Sequence, residues 1–114
     1  MSEKSYSLLR VFTDEVAMSG DRRLFEVIIE RAKRHKLLGL TLIRCQVGFG
    51  HSVLLHVEGI LDHNYPLIIE IIDEEDRLCA FADEIRGMHG IGLITTTEVN
   101  VISGGRNEGA FSGT

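Results

Sequence analysis

Three histidines, His51, His56 and His63, share one stretch with Glu58 and Asp62, a donor set that invites a metal. Their spacing argues against one. Residues five apart fall on opposite faces of a strand and off a common helix face, and no pair has a compact zinc spacing. They read as solvated loop histidines. A second group, Gly87-x-x-Gly90-x-Gly92, could cradle an anion with backbone amides. However, it follows a helix C-terminus, whose dipole repels anions, and it lacks the Lys of a P-loop. The plainer reading is a glycine cap and tight turn. An anionic ligand would then draw its counter-charge from Arg44, Arg86 or Arg106, the last from a neighbouring chain. Gly48-Phe49-Gly50 forms a turn that only glycine tolerates, and Phe49 is placed to stack on a base, plug a neighbour's cleft or simply pack. Glu70 interrupts an apolar run as either a paired carboxylate or a ligand contact. No nucleophile sits in a strand-turn-helix elbow, so no catalytic residue is assigned.

Elements that would position these residues alternate along the chain. Tyr6 to Thr13 reads as a strand with Leu9 and Val11 on one face and Tyr6, Leu8, Arg10 and Phe12 on the other. A helix to about Lys36 follows, capped by Ser19 or Asp21 and ended by Gly39, with Leu24, Phe25, Ile28, Ile29 and Ala32 as its apolar stripe. Leu40 to Val47 is the second strand. Pro66 to Asp73 is the third, apolar enough to be central and covered on both faces. Asp73-Glu74-Glu75-Asp76 opens a second helix with acids at the positive dipole end, and Leu78, Phe81, Ala82, Ile85 and Met88 form its stripe. Leu93 to Ile102, rich in Thr and Val, is the last strand.

Two strand-helix-strand units joined by an interrupted hairpin predict the ferredoxin-like β-α-β-β-α-β plan, an α+β fold with both helices on one sheet face. The other face, left bare, predicts sheet-to-sheet assembly. At 114 residues the chain makes one domain: residues 1–102, with a long loop at 48–64 and a glycine-rich, mobile tail at 103–114. Val53-Leu54-Leu55 and Ile60-Leu61 are too apolar for a free loop, so they pack across an assembly or dock on a partner. A net charge of −5 argues against nucleic acid as a partner. The absence of an apolar signal region or a membrane-length run predicts a cytoplasmic protein. Cys45 and Cys79 then read as small buried hydrophobes in a reducing compartment.

The phrase from Leu38 to Gly50, "LGLTLIRCQVGFG", resembles the "GxTVxRGxxGFG" stretch of a PII-like family long described as a domain of unknown function, number 190. Ile68 to Glu75 resembles its "VVIEIVDEEE". The likeness runs from about Ser7 to Ile102. It implies a homotrimer of the PII superfamily with three intersubunit clefts that bind adenine nucleotides (ATP, ADP or AMP) or other small effectors, none tightly held. The loop between strands two and three would change shape to engage a membrane transporter or metabolic enzyme. Gly48, Phe49 and Gly50 become the base of that loop, and Gly87 to Gly92 takes the place of a shorter phosphate-side loop. Unlike PII proteins proper, Gly87 to Gly92 carries no Lys or Arg, and Arg106 is displaced from the end of the last strand. The expected ligand-binding set is Arg44, Gly48, Phe49, Gly50, His51, Glu70, Gly87, Gly90 and Arg106. Two other classes stay open: a metal-tolerance trimer of the CutA type, which a metal screen separates, and a small ferredoxin-like enzyme, which needs an acid, a base and a cavity together.

Overall fold

The computed structural model describes residues 5–46 and 64–106. The segments 1–4, 47–63 and 107–114 lie outside the described residues. They include Gly48, Phe49, Gly50 and His51, the histidines at 56 and 63, and the apolar loop residues.

Strand β1 (Tyr6–Asp14) buries every second side chain, with Leu9 and Val11 fully enclosed and Leu8, Arg10 and Phe12 half-buried on the other side. Such alternation is what a strand with one face against a core must show. A short hairpin follows, β2 (Met18–Ser19) and β3 (Arg22–Arg23), turning at Gly20 with φ +64. Helix α1 (Leu24–Arg34) buries Leu24, Ile28 and Ala32. Strand β4 (Gly39–Arg44) and strand β5 (Pro66–Glu74) come next, then helix α2 (Glu75–Ile85), which buries Leu78, Phe81 and Ile85. Strand β6 (Ile94–Val99) closes the series.

The four long strands pair in the order β4-β5-β1-β6, all antiparallel. That is the ferredoxin-like α+β plan the sequence predicts. One core joins Leu9, Val11, Ile69 and Ile71 of the sheet to the buried stripes of both helices. The register places Arg10 between Glu70 and Thr95 at mid-sheet, on the face away from the helices. Ile68, Glu70 and Ile72 of β5 share that face and are half-buried within the chain. The helices therefore cover one side of the central strand, and within one chain the other side is half-buried.

Three local expectations are corrected. Helix α1 begins at Leu24, without a side-chain cap, because the β2–β3 turn uses Ser19 to Asp21; the Leu24 amide instead donates to the Ala17 carbonyl at 2.8 Å. The helix ends before Gly39. The Leu37 amide reaches the Ala32 carbonyl (3.2 Å), the Lys36 amide reaches Lys33 (2.9 Å), and Lys36 adopts φ +56. This is a Schellman ending with lysine where glycine is usual. Cys79 is exposed rather than buried, since it lies one residue off the Leu78–Phe81–Ile85 stripe, and Cys45 is half-buried.

Candidate functional site

Because β4 and β1 run the same way, the end of β4 meets the end of β1. Arg44, the last residue of β4, donates to Glu15 Oε2 through Nη2 at 2.8 Å and Nε at 3.2 Å. Its guanidinium also lies 4.5 Å from the centre of the Tyr65 ring, a cation–π arrangement. The backbone closes the same junction. The Cys45 amide donates to the Pro66 carbonyl (2.8 Å), and the Glu15 amide donates to the Tyr65 carbonyl (2.9 Å). Glu15 raises the Arg44 pKa, chiefly through its hydrogen bond and then through its charge. Asn64, beside Tyr65, is buried with its Oδ1 lacking a donor among the described residues.

The glycine turn after α2 reaches this same end. The Thr13 hydroxyl donates to the Gly90 carbonyl (2.8 Å), and the Gly92 amide donates to the Phe12 carbonyl (2.7 Å). Gly90 has φ +103, and a Cβ there would sit 3.0 Å from Leu24 Cδ2 and 3.1 Å from the Ala17 methyl. Glycine is thus required at 90 by both dihedral and space. Gly87 faces open space. Arg86 pairs with Asp83 at 3.3 Å on the surface of α2.

The remaining expected site residues lie elsewhere within the chain. Glu70 accepts from Arg10 Nε at 2.8 Å, mid-sheet and half-buried, the paired-carboxylate alternative of the two readings. Arg106 sits at the opposite end, where β1 starts and β5 ends. Its guanidinium grips Asp73, donating to Oδ1 through Nε at 3.2 Å and to Oδ2 through Nη2, and it reaches the Lys36 carbonyl at 3.1 Å. Its amide donates to the Tyr6 hydroxyl at 3.0 Å. Asp73 is fully buried and also accepts from the Leu38 amide (2.9 Å), from the Glu74 amide, and from Arg77 Nε (3.3 Å). Burial, the largest single influence, pushes the Asp73 carboxyl up. The Arg106 hydrogen bond, the two amides and the Arg106 charge together outweigh it and hold the group below its ordinary value. Between β6 and Arg106 lies an open pocket of about 390 Å³ lined by Gly39, Ile72, Val99 and residues 100–104.

Of the residues singled out from sequence, the fold brings Arg44 and Gly90 to one end; Glu15 and Tyr65, which contact Arg44, and Asp73, which holds Arg106, were not among them. The signal for Asp73 emerges only with the strand register. Leu67, Ile69, Ile71 and Asp73 form one period-two series in the sheet, and a carboxylate at such a core position calls for a cationic partner. Among the described residues no cluster of His, Cys, Asp and Glu is arranged to hold a metal ion, and no helix is long and apolar enough to cross a membrane.

Comparison with known proteins agrees with this fold. A family model described as "Uncharacterized ACR, COG1993" (DUF190) matches residues 6–101. A UPF0166 protein of Aquifex aeolicus (strain VF5) is 38% identical over 97 residues, covering 83% of this chain and 91% of that protein. A solved structure titled as the B. subtilis GlnK-ATP complex superposes with a TM-score of 0.52 at 16% identity, covering 87% of this chain and 85% of the other. The last likeness is one of fold, that of a PII protein. With the family model spanning both helices and all four strands of the main sheet, the chain belongs to the DUF190 family.

Proposed function

We propose that this protein is a regulator of the PII type rather than an enzyme. It would bind a small anionic effector, an adenine nucleotide first among the candidates, in clefts between three copies of the chain. The effector would act through residues 48–64 on a membrane transporter or metabolic enzyme in the cytoplasm. The observation that carries the reading is the convergence at one end of the sheet of Arg44, Tyr65 and the Gly90 turn, on a fold shared with an ATP-complexed GlnK. Arg44 offers the fork that phosphate oxygens require. The sheet face carrying Leu8, Phe12, Ile68 and Ile72 is only half-buried in one chain and supplies the surface on which copies would meet. Arg106, engaged by Asp73 of its own chain, is assigned to holding the fold. Regulation requires that the effector favour one conformation over another by differential binding.

Calorimetry with ATP, ADP, AMP and cyclic nucleotides tests the effector. Saturable heat with at least one is expected, and flat traces with all of them refute the nucleotide assignment. Light scattering should report about three chains per particle.

A further inference from the structure

We propose that the Glu15 carboxylate is a resident anion on Arg44, and that an anionic effector binds by taking its place. The inference rests on the regulatory reading above and names what the effector must displace. Both guanidinium nitrogens that Arg44 presents on this edge, Nε and Nη2, are spent on one oxygen of Glu15. The face of the same group is spent on Tyr65. An anion that takes that edge, whose parallel N–H donors give the bidentate geometry phosphates and carboxylates prefer, must displace Glu15. The group is nonetheless reachable, because the Arg44 side chain is 60% exposed. Exposed ion pairs are weak and screened, so a polyphosphate of higher charge outcompetes a single carboxylate.

The main chain of Glu15 is anchored without help from its carboxylate. Its amide is bonded to the Tyr65 carbonyl at 2.9 Å, and its carbonyl accepts from Arg23 Nη1 at 3.3 Å. The side chain is therefore free to swing off while the end of β1 stays in register. Glu15 acts in two ways, by occupying the binding edge and by repelling an incoming anion. It sets the effector concentration to which the protein responds.

The test titrates the full chain with ATP and, separately, with inorganic pyrophosphate, reading affinity by calorimetry in every variant and, wherever Arg44 is present, its side-chain nitrogen signals by NMR. Glu15→Gln should bind ATP roughly two- to five-fold tighter, the range that an exposed ion pair allows. Arg44→Gln should bind weakly, and Glu15→Gln should give no gain in that background, since the two residues act as one pair. Glu98→Gln, an exposed charge removed from β6, should leave affinity unchanged. Equal affinity in the native chain and Glu15→Gln, or an equal gain in Glu98→Gln, overturns the proposal while leaving nucleotide binding intact. If the native chain ignores ATP but the Arg44 signal of Glu15→Gln responds to pyrophosphate, the resident carboxylate stands and the nucleotide reading falls. No response to either anion in either chain overturns both.

Discussion

Asp73 shows how one side chain can tie distant parts of a small protein together. It is wholly buried, and its partners come from the α1–β4 turn, from α2 and from the segment after β6. Removing one member of such a group leaves a buried charge short of donors, which costs more than the intact pair contributes. Arg106→Ala should lower stability by about 2–3 kcal/mol in urea melts near neutral pH. The pH dependence has a definite sign. The folded carboxyl lies below its unfolded value of ~3.9, so the stabilisation is full well above that value. It is lost as pH falls through the folded pKa. The gap between native chain and Arg106→Ala should therefore narrow below about pH 4. A gap that held constant into strong acid would show that Arg106 acts through packing rather than charge. Sequence alone showed β5 as a nearly unbroken apolar run and placed Asp73 both at its end and at the start of the next helix. Acids at a helix start and a carboxylate at the last core position of a strand look alike until the register is known.

At the level of elements, the order and type of every long strand and helix followed from apolar stripes, apolar runs and β-branched composition. The ends did not, because termini are decided by contacts far along the chain. The start of α1 depends on the Ala17 carbonyl and the β2–β3 hairpin, and its stop depends on Lys36 at φ +56. A side chain in that left-handed region is strained, whereas glycine is not. Lys36→Gly should raise stability by up to about 1 kcal/mol, read as a higher midpoint in thermal or urea unfolding. The opposite holds at Gly90. There alanine meets an unfavourable dihedral and two close carbon neighbours, and Gly90→Ala should destabilise by about 1–3 kcal/mol. An unchanged melt would show that the turn relaxes without disturbing Leu24 or Ala17.

For the molecule as a whole, the decisive surface is the sheet face opposite the helices. Its centre holds the Arg10–Glu70 pair at 2.8 Å, flanked along β1 and β5 by Leu8, Phe12, Ile68 and Ile72. An apolar area ringing a satisfied ion pair fits association between copies better than lasting contact with water. Ile68→Glu should convert a particle of about three chains to single chains in light scattering, with the circular dichroism spectrum retained. Loss of helical signal would mean instead that the face contributes to folding of the single chain. This surface was only half legible in the sequence. Alternation in β1 announced a second face, but the unbroken apolar run of β5 concealed which of its residues lie there. Arg44, Gly90 and Arg106 were visible as residue types. Their division between two ends of the sheet was not, since it depends on strand direction.

The chain has two tyrosines and no tryptophan. Tyr65 lies beneath the Arg44 guanidinium, and Tyr6 receives the Arg106 amide at the far end of the sheet. Each end thus carries its own near-ultraviolet chromophore, with no indole to mask it. The proposed ligand occupancy at Arg44 and any opening of the Arg106 clasp can be followed separately, in unlabelled protein, by replacing one ring at a time with phenylalanine.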